Sequence, residues 1–288
     1  MTSSEPQISI SVMIITYNEE KNIESCLKSL GFLPREIFIV DSGSNDGTLQ
    51  LVKEYTDRIY HHQWECGSKQ WNWALKNLPV SSEWILALDA DQRLTSELRE
   101  EIEQTLKSCP TSIKGFYIPR RQIFRGRWIR YGTYYPKYLL KLFRCGHAVS
   151  DENELMDCRF YVSDNTAKLR YDLIEENRKE WNMDFWLSKH MRFAELQAEE
   201  EFLRRRKGTG WRIKPSLSGT PDQQTLFLKN LWYRMPLYVR PFLYFFYRYF
   251  LRLGFLDGKE GLIFHFFQGF WYRMLVDIRL DELRKGEK

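Results

Sequence analysis

Two aspartates, Asp89 and Asp91, follow an apolar segment with a single alanine between them, in WILALDADQRL at residues 84–94. Residues i and i+2 of an extended chain point to the same side, so both carboxylates are predicted to face one spot. Such like charges repel each other unless a cation or a shared proton lies between them. Mg²⁺ and Mn²⁺ suit such a pair, because they take their remaining ligands from water and phosphate oxygens. The alternative is a solvated turn with Asp91 near a helix N-terminus, where a carboxylate is favourable.

Strand and helix patterns alternate over the first hundred residues, and they predict the secondary-structure elements that position these carboxylates. Apolar runs in ISISVMIITYN, EIFIV and WILAL predict strands, and segments with helical spacing follow each of them. Alternation at this pitch predicts parallel βαβ units in an α/β fold, with helices on both faces of the sheet. Ligands bind beyond the carboxyl ends of the strands in such sheets. The three predicted strands end in polar residues, which predicts one site: Thr16, Tyr17, Asn18, Glu19, Asp41, Asp89 and Asp91.

The composition narrows the class of protein. The 288 residues carry a net charge of +5 at pH 7, and 16% of them are aromatic. The five cysteines lie far apart without a C-x-x-C pair, which predicts reduced thiols in a cytoplasmic protein. MTSSEPQ at residues 1–7 lacks the features of a signal peptide, and no apolar stretch reaches membrane-spanning length. Neither a P-loop nor a dinucleotide-binding glycine motif is present, so neither motif accounts for phosphate binding.

Four motifs together resemble the family 2 glycosyltransferases, which use the nucleotide-diphospho-sugar-binding GT-A fold. They are SVMIITYNEEKNIESCLKSL, IFIVDSGSNDGT, WNWALKNLP and WILALDAD, in the family's order and spacing. More narrowly, they resemble the bacterial branch that builds lipopolysaccharide-core and exopolysaccharide sugars. The resemblance implies a mixed, mainly parallel sheet in a GT-A catalytic domain at 1–202, with a nucleotide-sugar half at about 1–110 and an acceptor half at about 111–202. A charged, flexible connector at 203–222 and a helical membrane-associating region at 223–288 would follow.

The resemblance also implies roles for the polar strand ends. The nucleotide-sugar would be lined by residues after the first strand: Thr16, Tyr17, Asn18 and Glu19. Asp41 would accept hydrogen bonds from the base. Asp89 would contact the ribose or a metal-bound water, and Asp91 would ligate Mn²⁺ or Mg²⁺ beside it.

The WNWAL motif departs from the family pattern. Family members often carry an arginine directly before the asparagine, whereas Trp71 precedes Asn72 in this chain. The usual phosphate-binding cation is therefore missing from that position. Lys69, two residues earlier, is a candidate substitute, and the alternative is a surface lysine at the start of a helix. Lys69 and Asn72 are both assigned to the nucleotide-sugar site.

A general base must take the proton of the acceptor hydroxyl in an inverting transferase. In the family this base follows the D-x-D strand, which directs attention to SDENELMDCRF at residues 150–160. Asp157 is favoured because it precedes the strand-like run CRFYV, and Glu154 is the second candidate. Asp151 and Glu152 belong to the same cluster, and each of the four is alternatively a loop charge.

The last third of the chain concentrates aromatic and basic residues. In FLYFFYRYF at 242–250, seven of nine residues are aromatic, and Arg240, Arg248 and Arg252 flank or interrupt them. Helices of this composition lie in the headgroup plane of a membrane, where basic residues attract anionic lipids. The alternative is an internal helical core. The segment resembles membrane-associated family members with lipid-linked acceptors, which implies a cytoplasmic protein held at the inner face of the plasma membrane.

The predicted function is that of a metal-dependent, inverting glycosyltransferase. It would move a sugar from a nucleotide-diphospho-sugar, with a UDP-sugar favoured, to a hydroxyl of a lipid-linked glycan in cell-envelope polysaccharide or glycolipid synthesis. One alternative is a sugar-phosphate nucleotidyltransferase, although IITYNEEKN lacks the glycines of its phosphate loop. The other is a non-enzymatic peripheral membrane-binding protein, which leaves the acidic strand ends unexplained. No nucleic-acid partner is predicted, since acidic strand ends repel phosphate backbones.

Overall fold

The computed structural model describes residues 9–207 and 210–286, which form two compact units. The first unit comprises the described residues up to Arg120, together with Tyr138–Glu152 and Cys158–Arg178. The second comprises Arg121–Lys137, Asn153–Asp157 and the described residues from Lys179 onward. MTSSEPQ, and Gly208 and Thr209 of the predicted connector, lie outside the described residues.

The chain forms twelve strands and nine α-helices in the described ranges. The strands are β1 (Ile10–Thr16), β2 (Glu36–Asp41), β3 (Ile59–His61), β4 (Trp84–Asp89), β5 (Gln92–Leu94), β6 (Ile113–Phe124), β7 (Arg127–Ile129), β8 (Lys137–Arg144), β9 (Ala148–Ser150), β10 (Phe160–Val162), β11 (Asn165–Lys168) and β12 (Leu173–Glu175). The α-helices are α1 (Ile23–Leu30), α2 (Thr48–Val52), α3 (Gly67–Asn77), α4 (Ser96–Lys107), α5 (Met183–Lys207), α6 (Pro221–Arg234), α7 (Arg240–Phe246), α8 (Gly258–Phe264) and α9 (Tyr272–Lys285). Two π-helical segments, Tyr247–Leu251 and His265–Trp271, continue α7 and α8.

The first unit is built on a sheet with the strand order β3-β2-β1-β4-β8-β6-β12-β5, to which β11 adds by pairing with β6. Strand β1 pairs in parallel with β2 and β4, and β2 pairs in parallel with β3. Strands β8 and β12 run antiparallel to their partners β4 and β5. The predicted α/β class with a mixed, mainly parallel sheet is confirmed. Strands β1, β2 and β4 are rich in β-branched and other apolar residues because both of their faces are covered.

Alternate side chains of the same strand enter different apolar cores. In β1, Val12 and Ile14 belong to one core and Met13 to another. The first core includes residues of α1, α2 and α4, and the second includes Trp71 and Ala74 of α3. The period of two in an extended chain therefore buries both faces of the strand, as predicted.

The second unit is mainly helical, and α5 packs against α9. Ala194 and Ala198 of α5 share an apolar core with Tyr272 and Val276 of α9. No helix within the described ranges combines the length and the apolar character needed to cross a bilayer. The predicted division at 1–202, 203–222 and 223–288 is a division by role and stays a prediction.

Charged side chains are buried among these helices. Arg240 has no exposed surface, and it donates hydrogen bonds to Asp277 at 2.7 Å and to Glu201 at 3.0 Å. Arg248 is 1% exposed, and its Nε donates to the carbonyl of Gly132 at 2.9 Å. The prediction that Arg240 and Arg248 lie beside lipid headgroups is therefore wrong. Buried carboxylates pair with the guanidinium of Arg240, whereas that of Arg248 bonds to the carbonyl of Gly132 and lies over the rings of Tyr134 and Tyr244.

Candidate active site

The carboxyl ends of β1, β2 and β4 lie side by side. In the parallel pairing, Thr16 is opposite Asp41, and Ile15 is opposite Asp89. Three of the predicted polar strand ends therefore share one edge of the sheet. Asp41 is buried, whereas the side chain of Asp89 is 38% exposed. This edge is the position at which open α/β sheets bind ligands.

Hydrogen bonds join the loop after β1 to the loop after β2. The backbone N–H of Asn18 donates to Ser44 Oγ at 2.8 Å, and that of Glu19 donates to Thr48 Oγ1 at 2.7 Å. In the opposite direction, the N–H of Asn45 donates to Asn18 Oδ1 at 2.8 Å. Asn18 has a φ of 52°, in the left-handed region that asparagine tolerates in tight turns. Asn18 and Glu19, both predicted to bind the nucleotide, thus lie on a loop with a defined conformation.

Thr16 and Tyr17, the other two predicted nucleotide contacts, differ in their surroundings. Thr16 is buried, and its Oγ1 has no hydrogen-bond partner among the described residues. Tyr17 is 54% exposed. A buried hydroxyl without a partner is unfavourable, so a ligand that bonds to Thr16 would relieve that cost.

Asp41 holds the loop that follows β2. Its Oδ2 accepts hydrogen bonds from the N–H groups of Gly43 and Ser44 at 2.8 and 2.9 Å, and its Oδ1 accepts one from Ser44 Oγ at 2.5 Å. A carboxylate accepts roughly four hydrogen bonds. Asp41 therefore keeps capacity for one further donor, which agrees with its predicted contact to the base.

The two aspartates of the D-x-D motif are placed by a turn. Strand β4 ends at Asp89, and Ala90 and Asp91 form the turn that leads into β5. The prediction that strand alternation aligns the two carboxylates is therefore wrong, because Asp91 lies outside the extended segment. Glu176 N–H donates to the carbonyl of Asp91 at 3.0 Å, and Asp89 N–H donates to Gln92 Oε1 at 3.1 Å. These bonds fix the turn.

The charges of both carboxylates act on the thiol of Cys26 in α1. Burial raises the pKa of Cys26, and the negative charges of Asp91 and Asp89 raise it further. The Sγ atom lies 4.0 Å from the carbonyl oxygen of Asp89. A narrow cleft lies at this position, with no space for a sphere the size of a water molecule. Its lining residues are Asn22, Ser25, Cys26, Asp91, Gln92, Arg93, Glu176 and Arg178.

Asp91 supplies this cleft with a carboxylate, the kind of oxygen ligand that hard divalent cations take. Asp91 lines the cleft, whereas Asp89 Oδ2 accepts a hydrogen bond from Lys141 Nζ at 2.8 Å. Across residues 9–207 and 210–286, no group of three or more His, Cys, Asp or Glu side chains is arranged to hold a metal. Mg²⁺ commonly takes one or two carboxylates and completes its shell with water and substrate phosphates. Asp91 therefore fits a metal ligand whose partners come mainly from the donor.

Lys141 on β8 is a site residue that the sequence analysis did not identify. Beyond its contact with Asp89, its Nζ lies 5.6 Å from the ring centroid of Trp71 and 5.9 Å from that of Phe160. The lysine side chain is only 7% exposed. The signal in the sequence was one charged residue within the apolar strand YLLKLF, since lysine is almost never buried unless it is paired.

Lys69 and Asn72 of α3 make different kinds of contact. Lys69 forms an ion pair with Glu65, and the two side chains are 45% and 60% exposed. The side chain of Asn72 bonds to both backbone groups of Ser150, at 3.1 Å to the carbonyl and 2.9 Å to the N–H. Its Nδ2 also donates to Glu152 Oε1 at 3.0 Å. Asn72 thus anchors β9 to α3, and the observed partner of Lys69 is a surface carboxylate.

The two candidate bases belong to the second unit. Asp157 is 33% exposed, and its Oδ2 lies 3.4 Å from Lys229 Nζ. Glu154 has no exposed surface. A general base must reach the proton that it abstracts, so the exposure favours Asp157. Nearby, Leu155 N–H donates to Glu200 at 3.1 Å, which holds the segment on α5.

The class of protein follows from the family that the chain matches. The family model described as "Glycosyl transferase family 2" matches residues 11–165, which carry β1, β2, β4 and the D-x-D turn. This match covers more than half of the chain, and the chain belongs to glycosyl transferase family 2. The protein is a glycosyltransferase with the GT-A fold.

Two bacterial glycosyltransferases are similar to this chain in sequence. The lipopolysaccharide core biosynthesis glycosyltransferase LpsC of Rhizobium meliloti is 31% identical over 201 residues, covering 68% of this chain and 73% of LpsC. An uncharacterized glycosyltransferase of Rickettsia typhi is 33% identical over 99 residues. That alignment covers 33% of the relative's length, so the chain spans about a third of this relative.

Solved structures are similar at lower identity. The crystal structure of S. aureus TarS residues 1–349 with UDP has 17% identity and a TM-score of 0.45, covering 97% of this chain and 92% of that chain. Glucosyl-3-phosphoglycerate synthase from Mycobacterium tuberculosis, in complex with Mn²⁺ and UDP-glucose, has 20% identity and a TM-score of 0.33. That match covers 42% of this chain and 45% of that one.

Proposed function

We propose that this glycosyltransferase moves a sugar, with inversion, from a nucleotide-diphospho-sugar to a hydroxyl of a lipid-linked glycan in cell-envelope synthesis. The observation that carries the proposal is the shared edge of β1, β2 and β4 in a chain of glycosyl transferase family 2. This edge carries Asp41 and Asp89, and the turn that follows β4 carries Asp91. The name of LpsC, a lipopolysaccharide core biosynthesis glycosyltransferase, supports the acceptor class.

The donor half of the site uses residues on three strand ends. Asp41, with its remaining acceptor capacity, binds the base, and the buried hydroxyl of Thr16 bonds to the nucleotide. Asp89 would contact the ribose or a metal-bound water, and Asp91 would ligate Mn²⁺ or Mg²⁺ beside it. The remaining predicted contacts to the nucleotide-sugar are Tyr17, Asn18, Glu19, Lys69 and Asn72. When bound, such a metal neutralises the charge of the leaving diphosphate.

The acceptor half needs one proton acceptor. We assign this role to Asp157, which is one-third exposed, and place Glu154 second because it is buried. A sugar-phosphate nucleotidyltransferase is disfavoured by the family match, since that family transfers glycosyl groups.

The proposal is tested by a donor panel with the wild-type protein. UDP-, GDP- and dTDP-sugars are titrated by calorimetry with Mn²⁺, with Mg²⁺ and with excess EDTA. We expect one nucleotide to bind, with a UDP-sugar favoured, and the binding to be lost in EDTA. Transfer from that donor to a membrane extract is then followed by the mobility of radiolabelled glycolipid. Absence of binding to every donor would sink the proposal.

An exposed apolar surface on the second unit supports membrane association. Six large apolar side chains in and after α7 are each 45–63% exposed: Phe242, Leu243, Phe246, Phe250, Leu251 and Leu253. Arg252 and Lys259, which are also exposed, supply positive charge along the same stretch of chain. Soluble monomers rarely expose apolar patches of this density. We propose that this surface lies in the headgroup region at the inner, cytoplasmic face of the plasma membrane.

Removing aromatic side chains from this surface should release the protein from membranes. The variant with Phe242→Ser, Phe246→Ser and Phe250→Ser loses three partly exposed rings, and we expect a fall of about 100-fold in the partition coefficient. Sedimentation with vesicles of phosphatidylglycerol and phosphatidylcholine measures it. Phe32→Ser, at a fully exposed phenylalanine of the first unit, is the matched control and should change nothing. Equal partitioning of the triple variant and the wild type would contradict the membrane assignment.

A further inference from the structure

The starting point is the tryptophan that stands where family members often carry arginine. Trp71 is 1% exposed, and it belongs to the apolar core between α3 and the sheet. Its ring is 5.1 Å from that of Phe160. Helix α3 therefore presents an aromatic face at the position where the family pattern supplies a positive charge.

A different element brings a cation to the same place. Lys141 lies on β8, and its side chain is almost fully buried. Its Nζ lies 5.6 Å from the ring centroid of Trp71. The Nζ atom ends 2.8 Å from Asp89 Oδ2, at the strand end that carries the D-x-D motif. The ammonium group also lies over the rings of Trp71 and Phe160, which hold it at the strand end beside Asp89.

The charge and the hydrogen-bonding capacity of this lysine suit a diphosphate. An ammonium group has three N–H donors, and Asp89 accepts from one of them. A leaving nucleoside diphosphate carries more negative charge than one divalent cation beside carboxylates can neutralise. A nearly buried cation also acts through a lower effective dielectric than a surface lysine does, so its effect on phosphate is larger. Lys69, ion-paired with Glu65 at the surface, lacks this advantage.

We propose that Lys141 contacts the diphosphate of the sugar-nucleotide and supplies positive charge to it from β8. This inference rests on the proposed donor site. In this proposal, Lys141 is a substrate-binding residue and Trp71 is the residue that positions its side chain. The contact with Asp89 keeps the ammonium in position before the donor arrives, and the remaining donors bond to phosphate oxygens.

The test compares a nucleoside diphosphate with its monophosphate. UDP and UMP, or GDP and GMP if the donor panel selects GDP, are titrated by calorimetry into wild type and Lys141→Met with Mn²⁺. We expect the diphosphate to bind roughly 10- to 100-fold more weakly to the variant, and the monophosphate to lose much less. If Lys141 served only to hold Asp89 against the ribose, both nucleotides would lose affinity equally, and that outcome would overturn the proposal.

Two lysines of α3, Lys76 and Lys69, provide the comparison variants. Lys76→Met, at an exposed position in the last turn of α3, is the matched control and should bind both nucleotides as the wild type does. A selective loss of diphosphate binding in Lys69→Met, with Lys141→Met unchanged, would assign the cation to Lys69 and overturn the inference. Circular dichroism melting curves show whether each variant is folded. Wild-type protein that binds no nucleotide at all would instead refute the proposed function, and the two failures are therefore distinct.

Discussion

Replacing Asp91 by asparagine is expected to lower kcat/KM for sugar transfer by about 1000-fold or more, because the variant loses the anionic ligand that we propose for the metal. Asparagine has nearly the same size, so the turn between β4 and β5 keeps its backbone bond from Glu176. Steady-state transfer with the donor from the panel measures the loss. A Mn²⁺ titration should show that the variant needs a much higher metal concentration for half-maximal binding of the nucleotide.

A matched substitution separates this effect from a general change of charge. Asp57→Asn removes an exposed carboxylate elsewhere in the first unit, and we expect its activity and its Mn²⁺ requirement to equal those of the wild type. Retention of most of the activity in Asp91→Asn would show that the D-x-D turn has no part in metal binding. Loss of activity with an unchanged metal requirement would assign Asp91 a different role in transfer.

Replacing Arg240 by methionine is expected to destabilise the second unit by about 3–5 kcal/mol, because two buried carboxylates lose their partner. Arg240 Nε lies 2.7 Å from Asp277 Oδ1, and Nη2 lies 3.0 Å from Glu201 Oε2. All three side chains are fully buried. Methionine fills much of the volume of the arginine stem but leaves Asp277 without a cationic partner, and Glu201 keeps only its ion pair with Arg205. Differential scanning calorimetry of the whole chain measures the change in the transition of this unit.

Two comparison variants test the reason for this loss. Arg279→Met removes a partly exposed arginine that pairs with Glu282, and surface pairs contribute little to stability, so the transition should stay near that of the wild type. The triple variant Arg240→Met, Glu201→Met and Asp277→Leu removes every charge of the buried set and should recover much of the stability. If Arg240→Met alone had the same transition temperature as the wild-type protein, the buried ion pairs would contribute no net stability.

Local patterns predicted the parts of the fold that depend on neighbours in sequence. The prediction of β1, β2 and β4 with polar ends is confirmed. It succeeds because each apolar β-branched run and the polar residues that follow it are continuous in the chain. The family resemblance is confirmed by the match to residues 11–165. The roles of the individual site residues stay predictions.

Contacts between distant segments could not be predicted in the same way. The contact between Lys141 and Asp89 joins residues 52 positions apart, and no periodicity indicates it. The prediction of headgroup contacts for Arg240 and Arg248 is wrong because composition alone reveals neither the carboxylates that bind Arg240 nor the carbonyl of Gly132 that binds Arg248. Asp91 was placed on an extended segment, since the sequence does not show that β4 ends two residues earlier.

The cross-linked loops after β1 and β2 bear on the thermodynamics of nucleotide recognition. Asp41 and Asn18 hold these loops through bonds internal to the protein, so their backbone is ordered before any ligand arrives. Ordering a residue costs about 1–2 kcal/mol in conformational entropy, and here folding has already met that cost. Nucleotide binding therefore needs little rearrangement of this wall, and discrimination between bases falls to the shape and polarity of a rigid surface.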